Sequence, residues 1–153
     1  MEFRRATVED IEILVERRME MRAEREISLC PIDLGDFRAS TRDYFLRHIP
    51  DESFIAWVAL NEGAMVATSG LCVHNIPPTY GNTSGRVAYL VNMYTVPEYR
   101  SQGIAAKLLE HLMDEARNLK CGRVTLNTSK TARPLYEKYG FVDVPDEMEY
   151  FIE

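Results

Sequence analysis

One stretch of the sequence joins residue types that could bind an anion. From Met93 to Ala105 it reads M-Y-T-V-P-E-Y-R-S-Q-G-I-A, so a segment rich in β-formers breaks at Pro97 and leads through a short loop into an amphipathic helix. Gly103 removes a side chain where a ligand could approach the main chain, and the free N–H groups of a helix start favour an anion such as a pyrophosphate. Arg100 would add a positive charge. The pattern is neither G-x-G-x-x-G nor a P-loop, and by itself it also fits an ordinary strand-loop-helix connection.

A second block, A-R-P-L-Y-E-K-Y-G-F, covers residues 132–141. It predicts a short helix from Thr131 to Tyr139, closed by Gly140, with Pro134 in the first turn because proline breaks a helix interior. Without further context, the aromatic residues of this block are interpreted as core residues around the helix end.

Both blocks resemble the GCN5-related N-acetyltransferase (GNAT) family. The family signature R/Q-x-x-G-x-G/A is matched by Arg100, Gly103 and Ala105, and the second block is similar to the family's A-x-x-L-Y-x-x-x-G-F helix. The residues from Arg4 to Thr7, followed by Asp10, also look like the family's opening strand and first helix. The resemblance spans most of the chain and implies an acetyl-CoA-dependent N-acetyltransferase.

The resemblance also implies how the chain would hold acetyl-CoA, its acetyl-donor cosubstrate. The strand from Val91 to Val96 would diverge from the strand that begins at Arg123, which would free main-chain groups to bond the pantetheine arm and the thioester carbonyl. Main-chain amides of Ser101 to Ala106 would bind the pyrophosphate. Ser129 stands where the family commonly has an asparagine, so we expect a weaker or rearranged contact there. The acetyl-CoA-binding residues implied in this way are Met93, Tyr94, Thr95, Arg100, Ser101, Gln102, Gly103, Ile104, Ala105, Ala106, Lys107, Ser129 and Tyr136.

The implied reaction is direct attack of a neutral primary amine of a small molecule or peptide on the thioester carbon, without a covalent enzyme intermediate. The catalytic residues would be Met93 and Tyr136. A strand amide near Met93 or Tyr94 would stabilise the oxyanion, an effect of about a hundredfold to a thousandfold in rate. The Tyr136 hydroxyl would protonate the departing thiolate, which adds roughly a hundredfold to ten-thousandfold.

Several chemical alternatives stay open at this point. The general base that deprotonates the amine could be Glu98, His74, Tyr94 or a chain of water molecules. Cys72 and His74 face the same side of a predicted strand, which also allows a hydrolase with a thiol nucleophile. A non-catalytic acyl-CoA-binding sensor module would share the anion-binding loop but would not need the Tyr136 hydroxyl. The histidines lack a second ligand at metal spacing, so no metal is expected.

The patterns along the chain predict one domain, residues 1–153, of class α+β, with a mixed, mostly antiparallel β-sheet and helices on both faces. Strands are predicted over Glu2–Ala6, Phe54–Leu60, Met65–His74, Val87–Val96, Arg123–Asn127 and Glu147–Ile152. Helices are predicted over Val8–Arg25, Asp36–Ile49, the stretch between Gly103 and Gly122, and Thr131–Tyr139. Residues 61–63 form a hairpin turn and residues 76–85 an irregular loop, which together with the first two helices should border the acceptor pocket.

Composition limits the classes of partner. The 153 residues are 46% hydrophobic and carry a net charge of −6, which opposes binding to nucleic acid. No apolar run approaches the ~18 residues of a membrane span, and the N-terminus lacks the apolar core of a signal peptide, so we expect no membrane association and a cytoplasmic location. Three scattered cysteines fit reduced thiols. The acidic residues Glu24, Glu26 and Asp33 could attract a cationic amine or be solvated surface charges, and the resemblance allows a homodimer.

Overall fold

The computed structural model describes residues 1–24, 33–144, 147–150 and 152. The elements in these residues are β1 (Glu2–Arg5), α1 (Ile11–Glu24), α2 (Leu34–His48), β2 (Phe54–Asn61), β3 (Ala64–Asn75), β4 (Arg86–Thr95), α3 (Ile104–Asn118), β5 (Arg123–Leu126) and α4 (Arg133–Tyr139). Short 3-10 turns, Val8–Asp10 and Pro97–Tyr99, precede α1 and α3. None of the helices described here has the length and apolar character needed to cross a bilayer.

The strands form one sheet in the order β1-β2-β3-β4-β5. The first four are antiparallel neighbours, and β5 runs parallel to β4. The turn between β2 and β3 consists of Glu62 and Gly63, whose φ angles of 51° and 82° are the left-handed values that suit the twist of a two-residue hairpin. The predicted hairpin and the predicted mixed, mostly antiparallel sheet are confirmed.

Helices cover both faces of the sheet because β2 is apolar on both of its sides. On one face, Phe54 and Val58 pack with Phe45 of α2 and with residues of α1. On the other face, Ala59 packs with Leu108 of α3. The buried apolar residues of α3 recur at helical spacing along one stripe: Ile104, Leu108, Leu109, Leu112 and Ala116. The two helical layers confirm the predicted α+β architecture.

A buried carboxylate ties α3 to the first two strands. Glu115 accepts hydrogen bonds from Arg5 Nε at 2.5 Å and from Trp57 Nε1 at 2.9 Å. The hydrogen bond from Arg5 lowers the pKa of Glu115, although burial acts in the opposite direction. Since an unpaired charge is costly inside a protein, this contact fixes how α3 lies over the sheet.

The two N-terminal helices differ from the prediction at their ends. The helical segment opens with a 3-10 turn capped by Thr7 and becomes α-helical only at Ile11, while its predicted last residue, Arg25, lies outside the described residues. The second helix begins earlier than predicted because the Asp33 side chain accepts hydrogen bonds from the Gly35 and Asp36 N–H groups at 2.8 and 3.1 Å. Aspartate is a strong N-cap, so the helix starts directly after it.

The predicted C-terminal strand is wrong for the described part of that segment. Residues 147–150 and 152 form no strand. Met148 is 100% and Tyr150 89% exposed, so the apolar positions that suggested a strand face water instead of a sheet. A short alternating pattern needs a partner edge to become a strand, and these residues have none in the described structure.

Candidate functional site

The pairing between β4 and β5 stops partway along β4. Val87 to Leu90 pair with Arg123 to Leu126, but β4 continues to Thr95. In the part of the chain that the structure describes, no strand pairs with the β5-facing edge of β4 beyond Leu90. Its main-chain donors and acceptors border a groove, where an extended ligand could pair as an added strand does.

A β-bulge at Asn92 interrupts the pairing of β4 with β3. Between Val91 and Tyr94, β4 has one residue more than the facing segment of β3. Asn92 has a φ of 56°, in the left-handed region that asparagine tolerates better than most side chains. Bulges redirect side chains next to functional sites. This one brings Asn92 to α1, where Arg18 donates a hydrogen bond to its Oδ1.

The N-terminus of α3 opens toward the same groove. Gly103 is the cap residue, with a φ of 79°, and no side chain caps this helix. The first hydrogen bond of the helix runs from the Lys107 N–H to the Gly103 carbonyl at 3.1 Å. The N–H groups of the residues before Lys107 therefore have no intrahelical acceptor. A Cβ at position 103 would meet no described atom within 4 Å, so the described residues leave space beside the main chain. These N–H groups and the helix dipole favour a bound anion.

Most of the residues that the family resemblance implies for acetyl-CoA binding line one groove with a volume of about 830 Å³. They are Met93, Tyr94, Thr95, Arg100, Ser101, Gly103, Ile104, Ala105, Ala106, Ser129 and Tyr136. Gln102 and Lys107 are exposed and do not line it. Gln102 Nε2 donates to the main-chain oxygen of Glu98 at 3.2 Å, and Lys107 Nζ pairs with Glu110 at 2.8 Å.

Arg100 lines the groove, but its charge is already paired. Its Nη2 lies 2.7 and 2.8 Å from the two carboxylate oxygens of Glu24, and its Nε donates to the Thr95 carbonyl at 2.9 Å. The guanidinium carbon also lies 5.6 Å from the centre of the Tyr94 ring. Arg100 therefore joins the loop to the end of α1, and it attracts an anion less than an unpaired cation would.

Tyr136 and Ser129 lie on the side of the groove next to α4. Tyr136 is 5% exposed, and its ring meets the Phe141 ring edge-on with centres 5.7 Å apart. Ser129 Oγ accepts a hydrogen bond from the Ala132 N–H at 3.2 Å, so the residue at the family's asparagine position supports the turn into α4. The Ser129 O–H can still donate to a ligand.

The structure narrows the candidates for the general base. Glu98 and His74 do not line the groove. Tyr94 does, but burial and the charge of Glu24 raise the pKa of Tyr94 to about 12. It is therefore a neutral phenol near pH 7, and its hydroxyl donates to Glu24 at 3.3 Å. Glu24 is the only carboxylate among the described lining residues, and its oxygens are bonded to Arg100 and Tyr94.

The geometry does not support Cys72 as a nucleophile. Its Sγ lies 3.3 Å from the Tyr44 hydroxyl of α2, and burial raises the pKa of the thiol. A reactive cysteine needs the opposite shift. His74 is exposed near the end of β3, and neither residue lines the groove. Among the residues that the structure describes, no cluster of three histidine, cysteine or acidic side chains could hold a metal ion.

Sequence reasoning placed the first helix near the acceptor and named Glu24, but it missed three other residues of α1. Arg18, Met21 and Arg22 line the groove beside β4. Arg18 and Arg22 are one helical turn apart, and this spacing could have indicated a cationic helix face. Nothing in the sequence shows that this face meets the bulge at Asn92. The loop at residues 76–85, expected beside the acceptor, does not line the groove.

Comparison with known proteins gives the family. A family model described as the acetyltransferase (GNAT) family matches residues 20–141. The chain belongs to this family. A solved GNAT fold, a predicted acetyltransferase with acetyl-CoA from Clostridium acetobutylicum, is 33% identical, with a TM-score of 0.90 over 98% of this chain and 95% of that one. The predicted family is confirmed, and these matches support the predicted enzyme class and acetyl donor.

Curated relatives match shorter parts of the chain. Thialysine N-epsilon-acetyltransferase of Mus musculus is 30% identical over 89 residues, which are 56% of this chain and 50% of that protein. Glucosamine 6-phosphate N-acetyltransferase of Trypanosoma brucei brucei is 28% identical over 79 residues, 52% of each chain. The chain thus spans about half the length of the curated relatives it matches.

Proposed function

We propose that this protein transfers the acetyl group of acetyl-CoA to the primary amine of a small molecule or peptide. The observation that carries this proposal is the groove between the diverging strands β4 and β5, which leads to the uncapped start of α3. Membership of the GNAT family supports the transfer itself. The relatives acting on thialysine and on glucosamine 6-phosphate support a small-molecule acceptor.

The residues of the groove fit acetyl-CoA. The edge of β4 from Met93 to Thr95 offers main-chain hydrogen bonds to an extended amide chain such as pantetheine, and the turn at Ser101 to Ala106 offers N–H groups to a pyrophosphate. Acetyl-CoA supplies a thioester carbon that an amine can attack. Gln102 and Lys107, which lie outside the groove, would act only at its rim.

Two groups of this chain would assist the transfer. The main-chain N–H at Met93, next to the bulge, would donate to the oxygen on which negative charge develops. The Tyr136 hydroxyl would give its proton to the departing thiolate. No described histidine lines the groove, and Glu24 is engaged by Arg100 and Tyr94. We therefore propose that water molecules carry the proton away from the attacking amine.

The test is release of free thiol from acetyl-CoA in the presence of a panel of amines. Tyr136→Phe should lower kcat by about a hundredfold or more, with little change in CoA affinity. Tyr139→Phe is the matched control, because Tyr139 lies on the same helix, does not line the groove and bonds Arg117. Unchanged turnover in Tyr136→Phe would refute its role as general acid. CoA binding without thiol release from any amine would favour the sensor module.

A further inference from the structure

Among the described residues, Arg18 at the edge of the groove has no carboxylate partner. Most arginines in the described chain pair with one: Arg4, Arg5, Arg17, Arg38, Arg42, Arg100, Arg117 and Arg133. Arg18 has no described carboxylate within salt-bridge distance, and its hydrogen bond goes to the neutral amide of Asn92. Its positive charge is therefore uncompensated by the residues that the structure describes.

The surroundings of Arg18 hold its guanidinium in one place. It lies 5.9 Å from the centre of the Phe37 ring of α2 and is hydrogen-bonded to the bulge of β4. Burial and the nearby charge of Arg22 lower the pKa of Arg18, yet an arginine stays protonated in proteins. Keeping a charge in such a place costs free energy unless an anion joins it.

The position of this charge points to the acceptor rather than to the donor. Asn92 immediately precedes Met93, the residue proposed to contact the thioester, whereas the proposed pyrophosphate site lies at the start of α3. Two of the three acidic residues that could attract a cationic amine already have partners: Glu24 pairs with Arg100, and Asp33 caps α2. Glu26 lies outside the described residues.

We propose that Arg18, assisted by Arg22, binds an acidic group of the acceptor, so that the substrate is a small primary amine that also carries a carboxylate or a phosphate. This inference rests on the proposed function and gives its substrate class. Arg18 is a specificity residue: it anchors the acid group beside the β4 bulge while the amine reaches the thioester. A planar guanidinium can bond two oxygens of either acid at once.

Kinetics on matched amines test the proposal. Lysine and cadaverine differ only by a carboxylate, and O-phosphoethanolamine and ethanolamine only by a phosphate. The wild-type kcat/KM should favour the acid-bearing member of at least one pair, and the favoured pair identifies the acid. Arg18→Gln should raise KM for that amine by about 10- to 100-fold, with KM for acetyl-CoA unchanged. Arg22→Gln should have a smaller effect, and Arg42→Gln, an exposed arginine of α2 outside the groove, none.

A binding measurement keeps the inference separate from the proposed function. With CoA saturating its own site, inorganic phosphate should raise the melting temperature of the wild type but not that of Arg18→Gln, and Arg18→Lys should give an intermediate rise. Equal shifts in wild type and Arg18→Gln would overturn the anion site, as would a wild-type preference for cadaverine and ethanolamine. An increase in KM for acetyl-CoA in Arg18→Gln would instead place the residue at the donor. If no amine is acetylated but the phosphate result holds, the proposed function fails and the anion site stands.

Discussion

At the scale of single residues, Gly103 combines an unusual backbone geometry with a place in the groove. Its φ of 79° is a left-handed value, which costs any residue with a side chain about 1–2 kcal/mol. Because a Cβ there would meet nothing within 4 Å, a substitution carries this conformational cost without a clash. Glycine is therefore favoured at this turn, and its lack of a side chain leaves the main chain exposed beside the groove.

Substitution of Gly103 by glutamate and by glutamine separates charge from backbone strain. Both variants should lose about 1–2 kcal/mol of unfolding free energy for the same conformational reason. Gly103→Glu should bind CoA about tenfold more weakly than Gly103→Gln, because its carboxylate would repel the pyrophosphate at the start of α3. Titration calorimetry with CoA measures the difference. Equal affinities would show that the diphosphate does not lie at this turn.

At the scale of elements, the attachment of α3 to the sheet should depend on pH. The pKa of Glu115 is lowered in the folded protein by its hydrogen bond with Arg5, so its stabilising contribution is complete above the unfolded value of about 4.3 and is lost as the pH falls through the lowered value. Glu115→Gln should lower the free energy of unfolding by about 1–3 kcal/mol at pH 7. It should also weaken the loss of stability as the pH falls below about 4.3.

The test compares the free energy of unfolding in urea of the wild type and of Glu115→Gln, at pH 7 and at pH 4. Glu110→Gln is the control, since Glu110 lies on the same helix and is half exposed in a surface pair with Lys107. If the wild type and Glu115→Gln lose the same free energy of unfolding between pH 7 and pH 4, the folded-state pKa of Glu115 is not the cause of the acid sensitivity.

Elements with strong local signals could be predicted from the sequence, and those that depend on distant partners could not. The periodic stripe of α3 and the glycine turn between β2 and β3 each lie within one short window, so their patterns were sufficient. The segment at residues 147–152 has an alternating pattern as well, but a strand forms only where a neighbouring edge accepts it. The one-residue bulge at Asn92 depends on the register between β3 and β4, which no local pattern encodes.

At the scale of the whole molecule, the sequence patterns identified most groove residues near α3 but not Arg18, Met21 and Arg22 of α1. The part proposed to bind the donor offers main-chain groups at a strand end and a helix start, so Gly103 and its neighbours carry a recognisable pattern. The part proposed to bind the acceptor depends on which face of α1 meets β4, about 74 residues later, as the contact of Arg18 with Asn92 shows. Such a juxtaposition becomes visible only in three dimensions.

Because the groove draws its lining from α1, β4, α3 and the segment before α4, a bound donor should stabilise the whole domain. Acetyl-CoA at a hundred times its Kd adds about 2.7 kcal/mol to the free energy of unfolding. For a domain of this size, that corresponds to a rise in melting temperature of roughly 5–10 °C. Scanning calorimetry should show this rise in the wild type. Arg18→Gln should show the same rise because Arg18 is proposed to bind the acceptor, and Gly103→Glu should show a smaller one. A cooperative wild-type transition that saturating acetyl-CoA leaves unmoved would mean that the folded protein does not bind the donor.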